Sequence, residues 1–248
     1  MLSKSQISFV NALHQKKHRK EHHLFIAEGS KSIVEFTQSS YCINTIFHTP
    51  DATPKLCNLS HKIKLHEITA AELKKISTLS TPQDALALIH IPERTITRPE
   101  SFKGRFTLVL DGIQDPGNLG TIIRTADWFG FKDIICSFDT VDAYNPKVVQ
   151  ATMGSLSRIN VYYEDLGAYF SEPNMPVYGA LLDGDSVYET RFGKEGYIIL
   201  GNEGNGISEK VQKRINTAIT IPRFGEAESL NVAVSTAIIC SELKRNTK

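Results

Sequence analysis

The chain predicts an α/β protein: a mostly parallel sheet in its C-terminal part, preceded by a smaller α/β unit. Six apolar runs of strand length, at residues 106–110, 133–137, 159–162, 177–182, 197–201 and 218–221, are bounded by Gly, Pro, Asp or Asn. Helical patterns lie between them. Leu119, Ile122, Ile123, Ala126 and Phe129 recur at three- and four-residue steps, as do Val148, Val149, Thr152, Met153 and Leu156. Nearly continuous apolar strands alternating with helices argue for a parallel sheet covered on both faces. The third observation is the polar stretch 91–104, IPERTITRPESFKG, which carries two prolines and no sustained apolar period. It reads as a linker and divides the chain into domains 1–97 and 98–248.

In the first domain, residues 24–27 and 43–47 have strand character, and a short helix over 30–36 follows Gly29. Thr69 and Glu72 have the spacing of a capping box, which predicts a helix through Ile76. Residues 85–91 form another strand. At the far end, a helix from about Leu230 is apolar nearly all round, which predicts burial.

Composition excludes several classes. The 248 residues are 41% hydrophobic, enough for a sizeable core and either one large or two smaller domains. With 28 basic against 27 acidic residues, nucleic-acid binding would need a local patch. Cys42, Cys57, Cys136 and Cys240 show no paired spacing, and no apolar run reaches spanning length, which predicts a cytoplasmic protein with no membrane partner. All eight histidines lie between His14 and His90, so chemistry in the second domain would use neither a histidine base nor a histidine metal ligand.

Ligands of doubly wound sheets bind beyond the carboxyl ends of the strands, so the loops after strands matter most. After the strand 106–110 comes DGIQDPGNLG, whose glycines are not spaced as a dinucleotide fingerprint. Asn118 sits near the start of the following helix, and Arg124 lies further along it. Either Arg124 makes an ordinary surface salt bridge, or it holds a phosphate or carboxylate ligand. The loop GNEGNG after residues 197–201 lacks the Lys-Ser/Thr ending of a phosphate loop, and Glu203 would oppose phosphates. It is either a tight turn or a loop for a neutral or cationic ligand, and Ser208 is the N-cap expected after it. Near the last helix, Ser229 reads as an N-cap and Asn231 as a first-turn partner of the backbone or of a ligand. Finally, residues 14–23, HQKKHRKEHH, concentrate basic side chains and form either a solvated face or a phosphate-binding patch of Lys16, Lys17, Arg19 and Lys20.

Taken in order, Asn118-x-Gly120-x-x-x-Arg124-x-Ala126, Leu200-Gly201-Asn202-Glu203-Gly204-x-Gly206, and Ile221-Pro222 followed by Ser229-Leu230-Asn231 resemble the three signature motifs of the SpoU/TrmH family. These are S-adenosylmethionine-dependent RNA ribose 2′-O-methyltransferases of the SPOUT superfamily. The resemblance covers roughly residues 105 to 245. The stretch Phe25-Ile26-Ala27-Glu28-Gly29 is similar to the entry of the L30e-like RNA substrate-binding domain that precedes the catalytic domain in many members.

The resemblance implies a SPOUT-type trefoil knot, a homodimer, and S-adenosyl-L-methionine held by backbone around Leu181, Gly201, Ile221 and Leu230. It implies a catalytic set of Arg124, Asn118, Glu203, Ser229 and Asn231. Arg124 would clamp an RNA phosphate; arginine is effectively always protonated and a poor base. Asn118 and Ser229 would position substrate or Arg124, Glu203 would orient the arginine or an amide across the dimer interface, and Asn231 would hold the cofactor loop and the helix start. No metal is required. The RNA implied is ribosomal, with tRNA as the alternative. The rival functions are a SPOUT methyltransferase acting on a base or protein, a non-catalytic RNA-binding protein, and a phosphate-loop nucleotide enzyme.

Overall fold

The computed structural model describes residues 1–56, 63–96, 99–173 and 175–246. Chain contacts divide it into two compact units: Met1–Glu93 with Asp142–Arg158, and Arg94–Val141 with Ile159–Lys248. Cys57 lies outside the described residues.

The first unit opens with α1 (Lys4–Ala12) and α2 (Lys16–His22), then β1 (Leu24–Glu28), α3 (Ser30–Thr37), β2 (Ile43–His48), α4 (Thr53–Leu56), β3 (Lys64–Glu67), α5 (Ala70–Leu73) and β4 (Ala85–His90). Ser3 and Gln6 form a capping box that starts α1, and Thr69 and Glu72 form the predicted one at α5. Helix α5 stops at Leu73, short of the predicted Ile76. The sheet order is β1-β4-β2-β3, antiparallel except for the β2–β3 pair. Val10, Leu13, Leu24, Ile26, Leu73 and Leu88 are among the side chains that close its core.

The second unit begins with β5 (Phe106–Asp111), α6 (Pro116–Trp128) and β6 (Asp133–Ser137). The chain then contributes Asp142–Arg158, including α7 (Pro146–Ala151), to the first unit. The helical pattern at Val148 and Val149 was expected to cover the parallel sheet; instead α7 packs on β1, and the Tyr144 and Phe25 rings lie 4.9 Å apart. The pattern also breaks after Thr152, because Met153 (φ 51) and Gly154 (φ 92) adopt left-handed backbone. At Gly154 a Cβ would lie 2.8 Å from Glu35 Cγ, so this turn fits closely against α3.

The remaining elements are β7 (Asn160–Glu164), α8 (Leu166–Tyr169), β8 (Val177–Ser186), β9 (Gly196–Gly201), α9 (Glu209–Gln212), β10 (Thr217–Thr220) and α10 (Val232–Asn246). They complete a six-stranded sheet of order β10-β8-β9-β5-β6-β7 in which every pair is parallel. Buried β5, β6 and β9 have apolar side chains on both faces, as a covered parallel sheet requires. Register slips where β8 meets β10: Gly179 pairs with Ala218 but Asp185 pairs with Ile219, so residues 180–184 fall outside that ladder. Helix α10 begins at Val232, not Leu230, because Asn231 occupies the cap. Burial raises the thiols of Cys136 and Cys240, the latter to about 12 against a weak opposing effect of Lys244, so both stay protonated at neutral pH. Among the described residues no helix is long and apolar enough to cross a membrane.

Candidate functional site

The chain runs β5 to β6 toward one edge of the sheet and adds β9 on the other side of β5. The carboxyl ends of β5 and β9 therefore meet where the strand order reverses, the point at which parallel sheets open a crevice. Asp111 and Gly201 are paired neighbours at those ends.

The loop after β9 is fastened to the one after β5. Asn202 Nδ2 donates to the Gly112 carbonyl at 2.7 Å, and Asn202 Oδ1 accepts from the backbone N–H groups of Gly204 and Asn205. Asn202 and Gly206 exchange both backbone hydrogen bonds at 2.9 Å, which folds the loop back on itself. This return is why Gly201 must be glycine: a Cβ there would lie 2.2 Å from the Gly206 carbonyl carbon and the Ile207 nitrogen. The buried Asp111 carboxylate accepts from Ser208 N–H at 2.7 Å and secures the far end. Ser208 stands at the expected N-cap position of α9, but its hydroxyl makes no capping bond.

Helix α6 starts at Asp115, whose side chain accepts from Asn118 N–H at 2.8 Å, with Pro116 at the first helical position. That cap turns Asn118 toward the β9 loop. Asn118 Nδ2 donates to Glu203 Oε1 at 2.7 Å, while Asn118 Oδ1 accepts from Asn231 Nδ2 at 2.9 Å. Asn231 Oδ1 in turn accepts from the Ala233 and Val234 N–H groups at 2.9 and 3.3 Å and caps α10. Residues from three distant segments thus form one hydrogen-bonded chain, Asn231 to Asn118 to Glu203.

Arg124 is exposed on α6, on the same stripe as Gly117, Thr121 and Trp128 at four- and three-residue steps. Its side chain makes no hydrogen bond or ion pair among the described residues. The ordinary surface salt bridge is therefore not made. Ser229 is exposed, and the cap expected of it belongs to Asn231. Glu203 meets the Asn118 amide of its own chain and not Arg124.

The expected cofactor residues fall on, or just after, three neighbouring strands. Leu181 lies in the out-of-register part of β8, Gly201 ends β9, and Ile221 follows β10, with Leu230 just before α10. Leu182, Phe224 and Leu230 are large apolar side chains left exposed in these same segments. A glycine cradle beside uncovered apolar groups fits S-adenosylmethionine, whose adenine ring offers apolar surface.

In the first unit, Lys16, Lys17 and Lys20 project from α2 into solvent. Arg19 does not. It is 2% exposed, and its guanidinium donates to Asp142 Oδ2 at 2.7 and 3.1 Å and to the carbonyls of Leu13 and His14. The basic patch therefore has three lysines, and Arg19 is a core ion-pair residue. Asp111 and Asp115 were not singled out from the sequence, and Asn202 entered only as a member of the glycine-rich motif, without a role. Asp115-Pro116 is a helix-start signal that could have been read, whereas nothing local marks Asp111.

The sequence signature of the SpoU rRNA Methylase family matches residues 105–241, and that of the MRM3-like substrate binding domain matches residues 4–87. The chain is 32% identical over 236 residues to the 23S rRNA (guanosine(2553)-2′-O)-methyltransferase RlmP of Bacillus subtilis, covering 94% of this chain and 93% of the relative. Among solved structures, a TrmH-family protein from Porphyromonas gingivalis superposes with TM-score 0.87 at 39% identity, over 99% of both chains. An AdoMet-bound rRNA methyltransferase from Sinorhizobium meliloti superposes with TM-score 0.87 at 28% identity, covering 100% of this chain and 97% of that one.

Proposed function

The chain belongs to the SpoU rRNA methylase family, and from that premise we propose that it transfers a methyl group from S-adenosylmethionine to a ribose 2′-hydroxyl of ribosomal RNA. The observation that carries the assignment of roles is the Asn231–Asn118–Glu203 chain, together with an Arg124 on the same helix α6 that makes no ion pair among the described residues. When bound, the sulfonium cofactor supplies an already activated methyl. The 2′ oxygen would take the methyl as its bond to sulfur breaks, the sulfonium leaving as a neutral thioether, and the hydroxyl proton would pass to solvent water.

The protein's task is alignment and charge placement. Arg124 holds an RNA phosphate through its planar donor fork and stabilises negative charge developing on the 2′ oxygen. Asn118 is locked between two partners, so the first turn of α6 and the β9 loop keep one spacing; Ser229 borders the same space. Gly201, Ile221, Leu181 and Leu230 form the cofactor cradle. Lys16, Lys17 and Lys20 add salt-dependent affinity for the RNA backbone. A second copy of the chain would cover Trp128 and Val234, exposed on the packed helices α6 and α10, in a homodimer. No residue role here requires a metal, and the site of action in this reading is the cytoplasm.

Arg124→Ala should reduce methyl transfer to an unmodified 23S rRNA transcript by at least a hundredfold. Calorimetry should find S-adenosylmethionine binding unchanged. Substantial residual turnover would overturn the role given to Arg124.

A further inference from the structure

A second crevice opens on the other side of the β5 end, at the carboxyl termini of β5, β6 and β7. It has a volume of about 280 Å³, just under the roughly 300–1,000 Å³ typical of drug-sized ligand pockets, so it suits one planar ring system. Phe138 forms part of the wall yet is 66% exposed. Four carboxylates line the same space. Two are engaged: Asp111 accepts from Ser208 N–H, and Asp165 caps α8 and meets Lys210 at 3.3 Å. The other two, Asp139 and the half-buried Glu164, make no hydrogen bond or ion pair among the described residues. Ser208 Oγ, also in the lining, is buried without a hydrogen-bond partner.

This set excludes some occupants. With Lys210 balanced by Asp165, the remaining charge is negative, so a phosphate would be repelled. A single divalent ion would need converging ligand atoms. Among the described residues, the one trio of metal-capable side chains whose ligand atoms lie within 4.8 Å of one another is His18, Glu21 and His22 on α2, not these carboxylates. An aromatic face with acceptor-only carboxylates at its rim matches an unstacked nucleobase that offers N–H donors. Guanine alone presents two adjacent donors, N1–H and the N2 amino group, to one carboxylate.

We propose that this pocket receives a guanine base of the RNA, stacked on Phe138 and read by Glu164 and Asp139. The inference rests on the methyl-transfer reading for its RNA substrate. The pocket adjoins the proposed reaction site: a Cβ on Gly112 would lie 3.3 Å from Asp139 Oδ2 and 3.6 Å from Asn202 Cβ. A base held there places its ribose near the loop that bears Glu203.

The test measures calorimetric binding of the full chain to the pentanucleotides UUGUU, UUAUU and UUIUU, where inosine lacks only the N2 amino group. The G-containing probe should bind at least tenfold tighter than the other two. Glu164→Gln with Asp139→Asn, and separately Phe138→Leu, should erase that preference while S-adenosylmethionine binding stays intact. Equal affinity for the three probes, or a preference kept by the double variant, would overturn the proposal. Methyl transfer to a 23S rRNA transcript is measured in parallel. Guanine preference without transfer would sink the enzymatic reading and leave the pocket standing; transfer without guanine preference would do the reverse.

Discussion

Arg19 offers the sharpest perturbation, because its charge suggests RNA binding and its burial forbids it. The guanidinium is 2% exposed and directs four hydrogen bonds into the first unit, two to Asp142 Oδ2 and one each to the Leu13 and His14 carbonyls. Truncation to Ala strips the donors from a carboxylate whose side chain is only 15% exposed, and from both carbonyls. Breaking a buried pair from one side costs about 3–5 kcal/mol, a large share of a typical domain stability of about 5–15 kcal/mol. With a urea slope of about 2 kcal/mol per molar, the midpoint of the first unit should fall by about 1.5–2.5 M. Hydrogen exchange of β1 and α1 peptides in urea reads that unit separately, since the single Trp lies at Trp128 in the other. Asp142→Ala should do comparable damage, and Arg19→Met with Asp142→Leu should recover most of the loss, because replacing both partners removes the uncompensated charge. Reversing Lys16, Lys17 and Lys20 to Glu should leave the midpoint nearly unchanged and weaken RNA binding. The reasoning fails if Arg19→Ala keeps its urea midpoint, or loses RNA affinity without losing stability.

Two further outcomes follow from local geometry. Gly201→Ala drives a methyl into the backbone of Gly206 and Ile207, which costs about 1–3 kcal/mol as overpacking and should weaken S-adenosylmethionine binding more than tenfold by calorimetry. Gly225→Ala, where a Cβ meets nothing within 4 Å, is the silent control. At Asp84, burial raises the carboxyl pKa, but Lys55 and the Ser30 hydroxyl and N–H outweigh it and bring the pKa from 3.8 down to about 2. Its stabilisation is therefore complete above about pH 3.8 and lost as pH falls through about 2; Asp84→Ala should cost about 1–2 kcal/mol at neutral pH, since Ser30 N–H loses its helix-start acceptor, and should flatten the acid limb of a Tm-against-pH curve.

The strands of the parallel sheet were legible because strands buried on both faces must be written as apolar runs. β3 was not: Lys64–Glu67 is exposed along its whole length and carries neither an apolar run nor alternation. The basic segment misled at one position, because a charge run does not reveal which side chain its helix turns inward. The Val148 pattern correctly marked a helix, but periodicity says which face is buried and nothing about which sheet receives it. At the site, each of Asn118, Glu203 and Asn231 had an adequate local explanation. Their mutual bonds span separations of up to 113 positions, and only the joint order of the motifs pointed to them.

The reversal of strand order at β5 and β9 sets two different surfaces side by side at the carboxyl end of one sheet. On the β8 and β10 side, Leu182, Phe224 and Leu230 leave apolar surface exposed beside the acidic Asp183 and Asp185, suited in the proposed reading to a cofactor that carries both an apolar ring system and a positive charge. On the β6 and β7 side, unpaired carboxylates favour N–H donors and repel phosphates. The proposed reading leaves the phosphates to Arg124 on the exposed stripe of α6. In the proposed reading, the base, the backbone and the methyl donor of one methyl transfer thus approach from three directions. Asn118, Glu203 and Asn231 are bonded to one another, and in that reading they act as alignment residues: Asn118→Asp would set two carboxylates against each other across a 2.7 Å hydrogen bond and prise the α6 start from the β9 loop without removing any group proposed to hold substrate.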